Sequence, residues 1–249
     1  MRKTFIAFLV FSIALIFNTQ TALAYGIFTG GQTGYDISFP QGNISSLPSS
    51  YDFLVIGVTD GRAYTDNPYL TSQVYLANGK LLSLYMNLNA PVGSTVQGNT
   101  SSPKSCAKSD KVCQAYNYGY NAASHSYSFA HSKGAISTLW WLDIETGNSW
   151  SSTKAINDAT IQGAIDYLNI TGAGAIVGIY STQSMWNTIA GSSFAPIQTT
   201  TTVTPNWIPG ASSTNPQLIC SQTITANGQA WLTQYISGGF DHDYACSTQ

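Results

Sequence analysis

Charged side chains are scarce in this chain of 249 residues, with nine basic and eleven acidic ones that form no run of one sign. Binding to nucleic acid relies on a basic patch or stripe, so this composition argues against a nucleic-acid partner. Glutamate is rarer still, because Glu145 is the single copy. The polarity of the chain comes instead from hydroxyl and amide side chains, a composition typical of exported proteins that face sugars.

Long apolar runs are also missing, except for residues 5–17 near the N-terminus. Two basic residues precede that run and the small residues 22–24 follow it, which is the layout of a secretory signal peptide. An uncleaved membrane anchor is the alternative, but the run is shorter than the about 20 residues that cross a bilayer. We expect cleavage of 1–24, secretion to the extracellular space, and a soluble mature chain of residues 25–249.

Cysteine is rare but even in number. The four cysteines are Cys106, Cys113, Cys220 and Cys246. In an exported protein this count predicts two disulfides, with three formal pairings. We favour Cys106–Cys113 across a short polar loop, so that Cys220–Cys246 fastens the C-terminal tail, and each bridge should contribute ~2–4 kcal/mol of stability. A zinc site is the alternative, but no Cys-x-x-Cys occurs and the histidines lack ligand spacing. We expect no metal and no cofactor.

Strand-like and helix-like segments alternate along most of the mature chain. The predicted strands are 34–38, 53–61, 81–88, 138–145 and 175–182, and the predicted helices are 67–80, 113–134 and 155–173. Such alternation predicts parallel strands covered by helices. Two further strands, 204–210 and 230–237, follow with no helical pattern between them. We therefore predict a single α/β domain, an incomplete TIM-like barrel that β/α units begin and bare strands close.

The proline- and serine-rich stretch 89–112 follows the third predicted strand as an insertion. In a barrel of parallel strands it would overhang the mouth formed by the strand C-termini, where active sites lie. A plain solvent loop is the alternative, and the sequence fits both equally.

Acidic residues stand at the ends of several predicted strands. They are Asp36, Asp60, Asp143, Glu145 and Asp241, with Asp241 just beyond the final strand. Because the C-terminal ends of parallel barrel strands open on one mouth, we expect these side chains to gather in one pocket. For Asp143 or Glu145 alone, a helix cap or a solvent-facing position is the favoured interpretation, whereas the acids taken together favour a functional site.

The spacing of Asp143 and Glu145 puts both side chains on one face of a strand, with Cα atoms roughly 6.6 Å apart. Two carboxyls at that distance suppress each other's ionisation, and whichever of Trp140 and Trp141 faces inward would desolvate them further. We expect Glu145 to stay protonated as a general acid for glycosidic cleavage, while Asp143 stays ionised in a complementary role.

Several segments, in this order, resemble family 25 glycoside hydrolases, the lysozyme-type muramidases. They are "GYDIS" (34–38), "FLVIGVTDG" (53–61), "WLDIET" (141–146), "VGIYST" (177–182), "NWIPGA" (206–211) and "TQYISGGFDHDYA" (233–245). The resemblance covers essentially the whole mature chain and is closer still to secreted bacterial proteins described only as glycoside-hydrolase-like. It implies a (β/α)5β3 barrel.

The resemblance also implies roles for individual residues. Asp36, Asp143, Glu145 and Asp241 would be the catalytic carboxylates, with Glu145 as the proton donor. Asp143 would orient the substrate's acetamido group as that group attacks the anomeric carbon, a substrate-assisted route. The substrate would be peptidoglycan or another amino-sugar polymer, cut between muramic acid and glucosamine units.

The walls of the implied groove depart from the family pattern. Phe39 and Pro40 stand where members usually carry an aromatic, often Trp, and "LYMNLNAP" (84–91) replaces a Tyr-His-Phe-like strand. These changes leave the acids in place but weaken the inference of a muramic acid substrate. The candidate substrate-binding residues are Asp60, Tyr180, Trp207 and Tyr235. The three aromatic ones would stack on sugar rings, with burial in the core as the alternative.

The sequence therefore fits two functions. One is a secreted glycosidase, which the placement of the lone glutamate favours because a binder has no need of a proton donor. The other is a non-catalytic carbohydrate-binding or cell-envelope protein on the same barrel, which the altered groove residues favour.

Overall fold

The structure, a computed structural model, describes residues 27–92, 100–172 and 174–246. The predicted signal peptide 1–24 and residues 93–99 of the predicted insertion lie outside the described residues. The strands are β1 Thr33–Ile37, β2 Phe53–Gly57, β3 Leu81–Asn87, β4 Leu139–Asp143, β5 Ile176–Tyr180, β6 Thr204–Pro209, β7 Gly228–Ser237 and β8 Phe240–Ala245. The α-helices are α1 Leu70–Leu76, α2 Lys111–Ser132, α3 Lys154–Asp166 and α4 Gln183–Ile189.

The eight strands close into a barrel in sequence order. Neighbouring strands from β1 to β7 are parallel, whereas β8 is antiparallel to both β7 and β1. The four helices follow β2 to β5, while 3-10 turns at 39–41 and 216–219 follow β1 and β6. The predicted α/β class is confirmed, and the sheet closes into a barrel of eight strands.

All seven predicted strands exist, whereas β8 and α4 have no counterpart among the predicted segments. The helix predicted over 155–173 ends as an α-helix at Asp166 and continues as a π-helical turn over 167–171. Strand β8 is half polar, and α4 has seven residues, too few for a helical period to stand out.

Strand β4 shows how side chains divide between the two faces of the barrel wall. All five of its residues are buried, as expected of a parallel strand covered on both faces. Trp141 faces the barrel interior, where its ring lies 5.7 Å from that of Trp207. Trp140 faces the helices and packs against Tyr127 at 6.4 Å. The tryptophan beneath the acidic pair is therefore Trp141.

Both predicted disulfides are present: Cys106–Cys113 and Cys220–Cys246, each with Cα atoms 5.6 Å apart. The first joins the insertion to the start of α2, and the second anchors the end of β8. The buried Asn117 of α2 also bonds the backbone of Thr100 and Lys104, which fixes the later part of the insertion against that helix.

Within the three described ranges, no helix is long and apolar enough to cross a bilayer.

Candidate active site

A cavity of about 220 Å³ opens at the end of the barrel where the parallel strands finish. Its lining residues are Asp36, Phe39, Gly61, Tyr85, Asn87, Asp143, Glu145, Tyr180, Trp207, Gln234 and Asp241. Four of them are carboxylic acids and none is basic, so we call this space the acidic cavity. The structure thus brings Asp36, Asp143, Glu145 and Asp241 together.

Asp36 and Asp241 reach the cavity from neighbouring strands. Asp36 is the penultimate residue of β1, and it pairs in register with Asp241 of β8. The prediction that Asp241 follows the final strand was wrong, because Asp241 lies inside β8. Since β8 runs antiparallel to β1, its beginning rather than its end reaches the mouth.

Asp143 is the last residue of β4, and its carboxylate is held from the side by β3. Asn87, its register partner on β3, donates a side-chain amide hydrogen bond to Asp143 Oδ2. The amide oxygen of Asn87 accepts a hydrogen bond from Thr59 Oγ1 at 2.7 Å, which fixes the orientation of the amide. Asp143 Oδ1 has no hydrogen-bond partner among the described residues. That oxygen is buried from solvent as well as unpartnered, whereas the side chain as a whole lines the cavity.

The pKa values of Asp143 and Glu145 are both raised. Burial lifts the pKa of Asp143 well above its ordinary value, and the nearby Glu145 and Asp36 carboxyls add to the effect. Burial also raises the pKa of Glu145, which lies nearer the mouth and is partly exposed. The raised pKa of Asp143 opposes the expected ionised form, because Asp143 is the deeper and more desolvated carboxyl.

A chain of hydrogen bonds crosses the cavity from β5 to β1. The Tyr180 hydroxyl donates to Gln234 Oε1 at 2.9 Å, and Gln234 Nε2 donates to Asp36 Oδ2 at 3.0 Å. Burial and the neighbouring Asp241 raise the pKa of Asp36 to about 8, against the lowering effect of the Gln234 amide. Asp36 is therefore largely neutral at pH 7.

A fifth carboxyl, Asp243, lies beneath the cavity and was not predicted as a site residue. It is fully buried, and its Oδ1 accepts a 2.7 Å hydrogen bond from Trp207 Nε1. Burial, followed by the nearby Asp36, raises its pKa well above the ordinary value. Its position two residues after Asp241 could have predicted it as a site residue, because residues i and i+2 of a strand point to the same face. The same rule would have found Tyr85 and Asn87 at the end of β3.

The four candidate substrate-binding residues divide into two pairs. Tyr180 and Trp207 line the cavity, but Trp207 is only 2% exposed and packs edge-on against Tyr180 at 4.5 Å. Trp207 forms the floor rather than an open stacking surface. Asp60 is exposed outside the cavity lining, and Tyr235 stacks on His242 at 5.2 Å. The structure does not bring Asp60 or Tyr235 into the acidic cavity.

No protein-family model and no curated protein matches this sequence. Solved structures nevertheless share its fold. One is the catalytic domain of endolysin Ply40 from bacteriophage P40 of Listeria monocytogenes, with a TM-score of 0.55 and 20% identity, covering 88% of this chain and 94% of that chain. The spore cortex lytic enzyme SleM of Clostridium perfringens gives a TM-score of 0.58 at 9% identity, covering 88% and 68%. The modular autolysin LytC of Streptococcus pneumoniae gives 0.52 at 14%, covering 86% of this chain and 46% of that one.

Proposed function

We propose that this protein is a secreted, muramidase-like glycoside hydrolase that cleaves an N-acetylated cell-wall polysaccharide, peptidoglycan. The observation that carries the proposal is the convergence of Asp36, Asp143, Glu145 and Asp241 on one cavity at the barrel mouth. Similarity of fold to proteins named as an endolysin, an autolysin and a spore cortex lytic enzyme supports a cell-wall substrate.

The proposal includes the organisation of the whole chain. Residues 1–24 act as a signal peptide that directs secretion, and 25–249 form one barrel domain of the (β/α)5β3 type. Stretch 89–112 is an insertion in the sequence after β3. The two disulfides fit an oxidising compartment outside the cytoplasm.

Glu145 is the general acid in this mechanism. It lies at the rim of the cavity, where a glycosidic oxygen can reach it, and burial raises its pKa so that it holds a proton. Its backbone oxygen accepts hydrogen bonds from Trp150 Nε1 at 2.8 Å and from the Asn148 N–H at 3.1 Å, which holds the segment after β4 in place. Transfer of the proton to the glycosidic oxygen lets the leaving sugar depart as an alcohol.

Asp143 assists the substrate's own acetamido group. The acetamido oxygen attacks the anomeric carbon as the glycosidic bond breaks, and the acetamido N–H donates to the Asp143 carboxylate, which lines the cavity. This N–H adds to the Asn87 amide in stabilising the carboxylate form, so substrate binding lowers the raised pKa of Asp143. Water then opens the cyclic intermediate while Glu145 takes back a proton.

The cavity volume limits what it holds at once. A volume of about 220 Å³ is below the about 300–1,000 Å³ typical of small-molecule sites, so it suits a single sugar ring. The lining has no basic side chain to attract an anion, and the Asp143 carboxylate that substrate binding favours would stabilise the positive charge that develops on the ring in the transition state.

Release of reducing ends from purified peptidoglycan tests the proposal. We expect the wild-type chain to release them and Glu145→Gln to lose activity by about 10²–10⁴-fold, since general acid catalysis contributes that much. Asp158→Asn is the matched control: Asp158 is a half-buried carboxyl on α3 outside the cavity, with its pKa raised to about 6 by burial. The control should keep wild-type activity.

The same two chains, tested for binding as well as for activity, distinguish an enzyme from a carbohydrate-binding protein. If wild type and Glu145→Gln both bind the polymer in a sedimentation assay but neither releases reducing ends from muramyl or chitin substrates, the barrel is a binder. Retained binding with lost activity in the variant supports catalysis.

A further inference from the structure

A second cavity, of about 460 Å³, lies beside the acidic cavity, and we call it the loop cavity. Three chain segments contribute residues to both cavities. Gly61, Asn87 and Glu145 line the acidic cavity, and Arg62, Asn89 and Gly147, which follow them in the same segments, line the loop cavity. Residues one or two positions apart lie within about 7 Å of each other, so the two cavities are neighbours at the same mouth. A substrate seated in one extends naturally into the other.

The loops around this second cavity are fastened to one another. The Ala63 N–H donates to Asn89 Oδ1 at 3.2 Å, which joins the loops after β2 and β3. Asn89 Nδ2 donates to the Tyr118 hydroxyl of α2 at 2.7 Å. The Ala90 N–H donates to the Ser149 carbonyl at 2.9 Å, which joins the loops after β3 and β4. The cavity walls are thus set before a ligand arrives, which reduces the entropic cost of binding.

The two cavities have opposite electrostatic character. The loop cavity is lined by one basic residue, Arg62, and by no acidic residue. Arg62 is the single arginine of residues 25–249, and it is exposed. Within the part of the chain that the structure describes, it makes no ion pair. The acidic cavity has no basic side chain, whereas the neighbouring loop cavity has the Arg62 guanidinium. A negatively charged group of a ligand that spans both cavities would therefore lie in the loop cavity, beside Arg62.

We propose that the loop cavity binds a carboxylate-bearing substituent of the polysaccharide through Arg62 while a sugar ring occupies the acidic cavity. This inference rests on the proposed function and specifies its substrate as a glycan with acidic side groups. The planar guanidinium presents paired donors that match the two oxygens of a carboxylate. A lactyl ether group on the sugar and the acidic residues of a stem peptide both carry that chemistry.

Calorimetric titration of the chain carrying Glu145→Gln tests this directly, since the ligands are then not consumed. The probes are chitobiose, a glucosamine–muramic acid disaccharide with a free lactyl carboxylate, the same disaccharide with that carboxylate as an amide, and one with a stem dipeptide. Arg62→Gln should weaken binding of the carboxylate-bearing probes roughly tenfold and leave chitobiose and the amide unchanged. Lys133→Gln makes the same charge change at the far end of α2, and it should leave the binding of all four probes unchanged.

The pattern across the probes decides the outcome. An Arg62→Gln effect on the free lactyl probe identifies the lactyl group, and an effect on the dipeptide probe alone identifies the stem peptide. Equal weakening of all probes, no weakening of any, or failure of the carboxylate-bearing probes to bind overturns the inference. If wild type releases no reducing ends yet carboxylate selectivity depends on Arg62, the proposed hydrolase activity fails and the binding assignment survives.

Discussion

Asp143 and Glu145 are two residues apart, yet they differ in their contact with solvent, and that difference separates their roles. Asp143 ends β4 inside the barrel and is 6% exposed, whereas Glu145 stands one step nearer the mouth. The deeper carboxyl is fixed by its partner Asn87 and lines the cavity, which suits holding a substrate N–H. The outer carboxyl has access to the leaving group, which suits proton transfer.

Removal of the Asn87 amide should change the pH dependence of the reaction. In Asn87→Ala the charged form of Asp143 loses its donor, so its already raised pKa rises further. We expect the acidic limb of the kcat profile to move to higher pH, and kcat at a fixed pH on that limb to fall about tenfold for each pH unit that the limb moves. Asn78→Ala, an exposed amide after α1, is the control. An acidic limb that stays in place in Asn87→Ala would contradict the role given to Asp143.

At the residue scale, sequence patterns found the carboxyls of the cavity but not their partners. Strand-end position is visible in the sequence for Asp36 and Glu145. The contact of Gln234 with Asp36 joins residues 198 positions apart, and nothing local marks it. The sequence also does not show how deeply Asp143 is buried, and this burial raises the pKa of the carboxyl that we expected to be ionised.

At the scale of the elements, strands and long helices were predictable because apolar residues repeat with the strand or helix period. Strand β8 escaped because Asp241 and Asp243 face the barrel interior, where a strand normally presents apolar side chains. A barrel strand with an acidic inner face does not show the expected alternation. The acidic inner face of β8 therefore both contributes to the site and hides the strand from a search for apolar alternation.

Helices α2 and α3 pack against each other through facing glycines. A Cβ on Gly119 would lie 1.9 Å from the Thr160 carbonyl oxygen, and a Cβ on Gly163 would lie 2.1 Å from that of Tyr116. The backbones therefore touch, and each glycine is required by the close approach rather than by a turn.

Gly119→Ala should accordingly destabilise the protein even though alanine is the better helix former. We expect a loss of about 2 kcal/mol in the free energy of unfolding, because overpacking usually outweighs the gain of about 1 kcal/mol in helix propensity. Urea denaturation measures it. Gly147→Ala, where an added Cβ meets nothing within 4 Å, is the control and should leave stability nearly unchanged. A more stable Gly119→Ala protein would show that the helices separate easily.

At the scale of the whole molecule, closure of the barrel creates the site, because it brings residue 36 beside residue 241. Sequence reasoning anticipated that convergence from the common direction of parallel strands. It could not anticipate that β8 runs the other way, since strand direction is set by the tight turn after β7 and by pairing on both sides.

Buried acids with raised pKa values make the stability of the whole protein depend on pH. The pKa of Asp36 is about 8 in the folded chain, against an ordinary value of 3.8. The unfolded chain therefore releases this proton first, and the contribution of Asp36 to stability is full below about pH 4 and lost as pH rises to about 8. Asp143 and Asp243 act in the same direction.

Thermal unfolding at a series of pH values between those limits should show stability falling as pH rises. Asp36→Asn removes one titrating group and should make the fall shallower, whereas Asp60→Asn, at an exposed position outside the cavity, should keep the wild-type slope. A wild-type stability that rises across this range, or an unchanged slope in Asp36→Asn, would contradict the buried, neutral Asp36.

The most direct test of whether the acidic cavity hydrolyses a glycosidic bond is digestion of peptidoglycan in heavy-oxygen water. The soluble fragments are then analysed by mass spectrometry. We expect the wild-type chain to release fragments that carry one heavy oxygen at a new reducing end, and Glu145→Gln to release none. Unlabelled sugar ends, label on peptide carboxyls, or equal labelling by both chains would contradict it.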